Sequence, residues 1–97
     1  MQFQITSDNI EMSPSMMDLA HEKLSKLDKH LKDTQPDSKS VRVVLNSGPE
    51  GTFFAKVEAE IKGNFLFAEE KGYTLEQALV NAVANVNRQY LKLKTKR

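Results

Sequence analysis

The last quarter of the chain concentrates basic side chains of the kind that bind phosphate groups. Arg88, Lys92 and Lys96 recur at four-residue steps within residues 74–97. At about 100° per residue of an α-helix, this spacing places all three on one strip of the helix surface. Three polar side chains fall on the same strip: Asn81, Asn85 and Gln89. Because guanidinium and ammonium groups donate charge-assisted hydrogen bonds to phosphate oxygens, the strip predicts contact with a polyanion.

The distribution of charge favours this interpretation and leaves one alternative open. Residues 77–97 carry five basic and no acidic side chains, whereas residues 1–76 carry nine basic and thirteen acidic ones. With a formal net charge of only +1, the chain has one basic end, which favours a local contact with a polyanion. Lysines in a last helical turn also complement the negative end of the helix dipole. An ordinary solvated helix end would therefore show the same pattern.

No cluster of residues predicts catalysis or metal binding. The two histidines, His21 and His30, lie nine residues apart on one predicted helix, so they point to opposite sides and cannot bind one metal ion together. The sequence has no cysteine, no glycine-rich phosphate loop and no serine nucleophile motif. Glu58 and Glu60 share a strand face with Lys56, which is typical of a solvated sheet surface. We therefore predict no enzymatic activity, no catalytic residue, no metal and no cofactor.

Length and composition predict a single domain spanning residues 1–97. The 97 residues are 39% hydrophobic and 28% charged, as in ordinary soluble domains. No apolar run approaches the roughly 20 residues that a membrane span requires. The N-terminus lacks the basic and apolar segments of a signal peptide. These features predict a cytoplasmic protein with neither a membrane partner nor a small-molecule substrate.

The spacing of apolar residues predicts two amphipathic helices. Ser13 and Pro14 are suited to the cap and first position of one helix, which extends to about Lys32. Thr74 and Gln77 form a capping box that opens the other helix, which continues to the C-terminus. The predicted core face of the first helix comprises Met16, Met17, Ala20, Leu24, Leu27 and Leu31. That of the second comprises Leu75, Ala78, Leu79, Ala82, Val83, Val86, Tyr90 and Leu93.

Alternation of apolar and polar residues predicts four strands, at 2–6, 41–45, 53–61 and 65–68. A loop at 33–40 precedes the second strand, a Gly- and Pro-containing connection follows it at 46–52, and residues 62–64 form a tight turn. Phe65 and Phe67 are predicted to face the core. A base-stacking platform would need aromatic and basic residues on an exposed strand face, and the alternation leaves only Phe54 outward. We therefore predict no such platform.

The predicted element order is β-α-β-β-β-α. The last three strands are joined as antiparallel hairpins, and each helix needs an apolar surface for its core face. We therefore predict an α+β fold in which two helices pack side by side on one face of a four-stranded sheet. This arrangement resembles a double-stranded-RNA-binding domain with one additional strand.

Three short segments, taken together, carry a family resemblance that covers the whole chain. They are Ile5-Thr6-Ser7, Lys23-Leu24-Ser25-Lys26-Leu27-Asp28-Lys29 and Arg88-Gln89-Tyr90-Leu91-Lys92-Leu93. Their order and spacing resemble the short form of the bacterial ribosome hibernation-promoting factors, also called sigma-54 modulation proteins. The resemblance implies a ribosome-binding protein, monomeric off the ribosome, that occupies the mRNA and tRNA channel of the small ribosomal subunit. It also implies inhibition of translation in stationary phase or stress.

The resemblance further implies which side chains contact ribosomal RNA. Contacts of this kind depend on salt and little on base sequence. The implied rRNA-binding residues are Lys23, Lys26 and Lys29 of the first helix and Arg88, Lys92, Lys94, Lys96 and Arg97 of the second. The chain departs from the family pattern at Asn85, where a lysine is common, and at 74–76, where Asp-Met-Tyr is frequent.

Two other functions fit the same residues. A free double-stranded-RNA-binding module would bind naked duplex RNA as well as it binds a ribosome. A protein-interaction adaptor would instead use Val80, Ala84 and Leu91, which lie roughly opposite the core face of the second helix. Binding by an adaptor of this kind would be insensitive to salt.

Overall fold

The computed structural model describes residues 2–30 and 39–95. The elements are β1 (Gln2–Thr6), α1 (Pro14–His30), β2 (Lys39–Ser47), β3 (Phe53–Ile61), β4 (Asn64–Gly72) and α2 (Leu75–Thr95). A single 3₁₀ turn, Pro49–Gly51, lies in the connection between β2 and β3. The predicted element order is confirmed. Residues 39 and 40 of the predicted loop belong to β2, and the rest of that loop and the core prediction for Leu31 lie outside the described residues.

The four strands form one sheet in the order β1-β2-β3-β4. The pairs β2–β3 and β3–β4 are antiparallel, as the predicted hairpins require. The pair β1–β2 is parallel, with Phe3 opposite Val41. Parallel neighbours need a crossover connection, and α1 lies in the connection from β1 to β2. The sheet is therefore mixed.

Both helices pack on the same face of this sheet, as predicted. The side chains with no exposed surface that meet there are Ala20, Leu24 and Leu27 of α1, Val43, Leu45, Ala55 and Val57 of the sheet, and Ala78, Leu79, Ala82 and Val86 of α2. One predicted core residue of α2 is wrong, because Leu93 is 40% exposed. The core reaches along α2 only as far as Tyr90, and Leu93 lies beyond it.

The predicted starts of both helices are confirmed by their capping hydrogen bonds. The backbone N–H of Met16 donates to Oγ of Ser13 at 3.2 Å. The backbone N–H of Gln77 donates to Oγ1 of Thr74 at 3.0 Å. The Gln77 amide oxygen accepts from the N–H of Tyr73 at 3.1 Å, one residue earlier than a capping box would place this bond. Short-range sequence signals therefore determine where each helix begins.

The prediction for the aromatic residues of β4 is wrong. Phe65 is 80% exposed and Phe67 is 51% exposed, whereas Leu66 and Ala68 are buried at 6% and 3%. The strand also extends to Gly72, four residues beyond the predicted end. Phe65 and Phe67 therefore lie on the face of the sheet that no helix covers, which we call the open face.

The turn before β4 explains this reversal. Lys62 and Gly63 both have positive φ angles, 52° and 80°, as in the tight two-residue turns that match the twist of a hairpin. The resulting register places Leu66 opposite Ala59, whose side chain is buried. A shift of one residue moves every side chain of a strand to the other face. The turn therefore determines which side chains of β4 face the core. The short run of four apolar residues does not indicate this by itself.

Candidate nucleic-acid interface

Lys23 on α1 is held in an ion pair between the two helices. Its Nζ lies 3.3 Å from Oε2 of Glu76 in the first turn of α2, and its side chain is only 14% exposed. The Glu76 side chain is 56% exposed, so water screens the pair from one side. Lys23 therefore ties α1 to the start of α2, and much of its charge is already balanced. This pair is not apparent from the sequence, because its members are far apart along the chain.

Lys26 and Lys29 are exposed on α1. Steps of three residues rotate successive lysines by about 60°, so Lys23, Lys26 and Lys29 progress from the side facing α2 towards solvent. Lys23 and Lys26 border a shallow groove of about 270 Å³ between the helices. Its apolar lining is contributed by Leu27, Val80, Val83 and Ala84. Lys26 is thus the cation at this groove with no partner among the described residues.

Arg88 and Lys92 are exposed on α2, as a phosphate-binding role requires. Two of the three polar residues that share their strip, Asn85 and Gln89, are engaged with β4. Asn85 donates from Nδ2 to Oε2 of Glu70 at 3.0 Å. Gln89 donates from Nε2 to the Phe67 carbonyl oxygen at 2.6 Å and to Oδ1 of Asn85 at 2.9 Å. These amides therefore fix α2 against the edge of the sheet and are not free to bind phosphates.

The two groups of cations lie on different helices of the helical layer. Val83 and Asn87 line the groove beside α1, whereas Asn85 and Gln89 face β4. Arg88 follows Asn85 by three positions and the groove-lining Ala84 by four, which places it on the outward surface of α2. Lys92 lies further round towards β4. A helix with its side chains is about 10 Å across. A polyanion that runs across the outward surface of α2 can therefore contact both groups.

The remaining predicted site residues fall at the limit of the described structure. The backbone of Lys94 belongs to α2, and its side chain lies outside the described part. Lys96 and Arg97 also lie outside the described residues. Their predicted contacts stay predictions.

A buried lysine that the sequence analysis placed in a loop has a structural partner. The Nζ of Lys39, at the start of β2, lies 2.7 Å from Oδ1 of Asp28 on α1. The Lys39 side chain is only 5% exposed. Removing one member of such a pair would leave a charge without its partner, so this lysine stabilises the fold. Nothing in the local sequence distinguishes it from a solvated loop lysine.

Within residues 2–30 and 39–95, no three His, Asp or Glu side chains are arranged to hold a metal ion together. Neither α1 nor α2 combines the length and the apolar character that would allow it to cross a bilayer.

These features define an α+β domain with exposed basic side chains on its helical layer. The chain matches the family model described as Sigma 54 modulation protein / S30EA ribosomal protein over residues 3–97. It therefore belongs to this family, and the family resemblance of the sequence is confirmed. No curated protein sequence gives a significant match.

Two solved structures share the fold at low sequence identity. The Thermus thermophilus Protein Y N-terminal domain is 22% identical with a TM-score of 0.81, covering 96% of this chain and 99% of that one. A ribosomal subunit interface protein from Coxiella burnetii is 17% identical with a TM-score of 0.80, covering 99% of this chain and 100% of that one. At such identities the likeness establishes the fold alone.

Proposed function

We propose that this chain is a ribosome hibernation factor in which residues 1–97 form one ribosome-binding domain. It binds the small ribosomal subunit in the mRNA and tRNA channel and inhibits translation in stationary phase or stress. Membership of the S30EA family over residues 3–97 is the observation that carries the proposal. The Coxiella burnetii protein that shares the fold is described as a ribosomal subunit interface protein, which supports the same partner. The proposed action takes place in the cytoplasm by occlusion of the channel, without a catalytic step or cofactor.

The helical layer supplies the chemistry for binding rRNA. Arg88 presents a planar guanidinium that can donate two parallel hydrogen bonds to one phosphate, and Lys26, Lys29 and Lys92 present ammonium groups. Neutralising phosphates releases condensed counterions, so affinity falls as salt rises. Lys23 contributes mainly by orienting α1 on α2, because Glu76 already pairs with it. Because the two groups of cations lie on different helices, we expect them to contact different phosphates.

Co-sedimentation with purified small subunits across a salt series tests this proposal. We expect Arg88→Glu/Lys92→Glu to weaken binding at least tenfold and to reduce the slope of log affinity against log salt by about one to two. The matched control for the single variant Arg88→Glu is Lys62→Glu, which makes the same charge change at an exposed position in the β3–β4 turn. Equal losses for these two single variants would mean that net charge, and not the α2 side chain, governs binding.

The same assay separates the two other functions. A free duplex-RNA-binding module would be released from subunits by an excess of naked RNA duplex, whereas a factor shaped for the ribosome would stay bound. An adaptor acting through Val80 and Leu91, which are 40% and 47% exposed, would bind equally well at low and high salt. Failure of the wild-type chain to pellet at low salt would contradict the proposed function.

A further inference from the structure

The open face of the sheet carries two large apolar side chains that the proposed rRNA contacts do not use. Phe65 is 80% exposed and Phe67 is 51% exposed, and both belong to β4. The two side chains are two positions apart in the strand, so they are neighbours on the same face of the sheet. Adjoining exposed aromatic side chains are typical of interaction sites. The helical layer lies on the other side of the sheet, so this face stays accessible when the helices are engaged.

A carboxylate stands beside each phenylalanine. Across the β3–β4 pairing, Glu60 is opposite Phe65 and Glu58 is opposite Phe67. The backbone N–H and C=O of Phe67 point away from β3, because both bond to Gln89 of α2. Glu58 and Phe67 therefore form a pair without backbone hydrogen bonds, the type in which cross-strand side chains approach most closely. Glu60 and Phe65 form the same type of pair, because each lies two positions from its counterpart in the Glu58–Phe67 pair.

These carboxylates are available to a partner. Glu58 and Glu60 are exposed, and neither forms an ion pair within residues 2–30 and 39–95. Together with Phe65 and Arg42 they line a groove of about 320 Å³ on the sheet. Two carboxylates and one guanidinium give this groove a net negative charge at neutral pH. Arg42 is opposite Glu58 across the β2–β3 pairing, which leaves Glu60 with no cation opposite it.

This chemistry selects for a basic, apolar protein segment and against a nucleic acid. RNA bases stack on exposed aromatic rings, but they arrive with phosphates that two adjacent carboxylates repel. A Lys or Arg side chain instead gains an ion pair with Glu58 or Glu60 and a cation–π contact with a phenylalanine ring. An apolar side chain next to it would cover the second ring.

Docking on the face of the sheet is favoured over addition of a strand at the β4 edge, because the middle of that edge is already occupied. Gln89 accepts from the N–H of Phe67 at 3.4 Å and donates to its carbonyl oxygen at 2.6 Å. This side chain occupies the two backbone groups that an added strand would use in the middle of β4. Recognition therefore falls to the side chains of the open face.

We propose that the open face, through Phe65, Phe67, Glu58 and Glu60, binds a protein segment in which Lys or Arg flanks an apolar side chain. On the small subunit this segment belongs to a basic ribosomal protein beside the bound domain, an identification that rests on the proposed function. The helices thus contact rRNA while the sheet contacts protein.

A charge-reversal variant of the open face tests this proposal directly, because the proposal and general phosphate binding predict opposite changes in affinity for small subunits. Glu58→Lys/Glu60→Lys adds positive charge to the chain, which strengthens phosphate binding in general. We expect this variant nevertheless to bind subunits at least fivefold more weakly than wild type. The matched control, Glu11→Lys/Glu50→Lys, makes the same charge change at exposed positions off the open face and should bind as tightly as wild type or more tightly. Subunit binding by Glu58→Lys/Glu60→Lys that equals that of the control would overturn the proposal.

A second measurement does not depend on the ribosome. An NMR titration of the whole chain with a peptide of alternating Arg and Leu should shift the amide signals of residues 58–60 and 65–67. Titration with oligouridine should shift signals of α1 and α2 instead. The peptide shifts should disappear in Phe65→Ser/Phe67→Ser, and Glu58→Gln/Glu60→Gln should weaken them without introducing new charge. Shifts of residues 65–67 by oligouridine would identify an RNA-stacking surface and refute the proposal, as would no shift there with the peptide.

The two tests separate this proposal from the proposed function. If wild type fails to pellet with subunits but the peptide maps to the open face, the function is wrong and the docking surface stands. If wild type pellets and depends on Arg88 and Lys92, but the peptide leaves residues 65–67 unmoved, the function stands and the docking surface is wrong.

Discussion

The helical layer and the open face of the sheet use charged residues in opposite ways. On the helical layer, Lys26, Lys29 and Arg88 are exposed over an apolar core. On the open face, exposed phenylalanines stand beside exposed carboxylates. The first combination suits phosphates and the second suits a basic protein segment. A small domain with a net charge of +1 can therefore present two distinct binding chemistries on its two sides.

The largest expected effect is on stability, and it tests which side chains of β4 face the core and which lie on the open face. Leu66→Ala should destabilise the fold by about 2–4 kcal/mol, because Leu66 is 6% exposed within the core. Phe65→Ala should change stability by no more than about 0.5 kcal/mol, since the side chain is 80% exposed. Urea unfolding followed by circular dichroism measures both. A larger loss for Phe65→Ala than for Leu66→Ala would reverse the assignment of the two faces.

The next largest effect is the loss of subunit binding when cations of the helical layer are reversed in charge. Lys26→Glu/Lys29→Glu and Arg88→Glu/Lys92→Glu lie on different helices, so we expect each pair to weaken subunit binding independently. A tenfold loss for each, about 1.4 kcal/mol, should become about a hundredfold in the combined variant. Co-sedimentation at fixed salt provides the affinities. A combined loss no greater than that of either pair would indicate one shared RNA contact.

A smaller effect concerns the junction between the two sides. Gln89→Ala removes both side-chain hydrogen bonds to Phe67, which should lower the free energy of unfolding by about 1 kcal/mol. It also exposes two backbone groups of the β4 edge, so the variant should self-associate more than wild type in sedimentation velocity. Asn81→Ala, at an exposed position of the same helix, is the control and should change neither property. An unchanged stability for Gln89→Ala would show that the edge contact is not maintained in solution.

The smallest expected effect separates Lys23 from its neighbour Lys26. Lys23→Met should lower stability by no more than about 1 kcal/mol, because the pair with Glu76 is partly exposed. A double-mutant cycle with Glu76→Gln should give a coupling free energy that falls as salt rises. Lys26→Met should leave stability unchanged and weaken subunit binding. A coupling free energy of zero at low salt would contradict the ion pair.

Much of the fold was predictable because its signals are local. Ser13 and Thr74 cap the helices that follow them, so both starts were predicted within a residue. Strand β3 was predicted with its observed bounds, because nine alternating residues leave no doubt about which face is buried. Strand β4 was different. One alternation of its apolar run would bury Phe65 and Phe67 and the other buries Leu66 and Ala68, so both are apolar.

The sequence by itself determined the element order, the two amphipathic helices and the concentration of basic residues near the C-terminus, since each depends on residues a few positions apart. Only the tertiary structure decided the phase of β4, which follows from its pairing with β3. Tertiary packing also decided which polar groups remain available. Glu76 pairs with Lys23, and Asn85 and Gln89 bond to β4. These contacts join elements distant in sequence, and periodicity along one helix carries no information about what the neighbouring element presents.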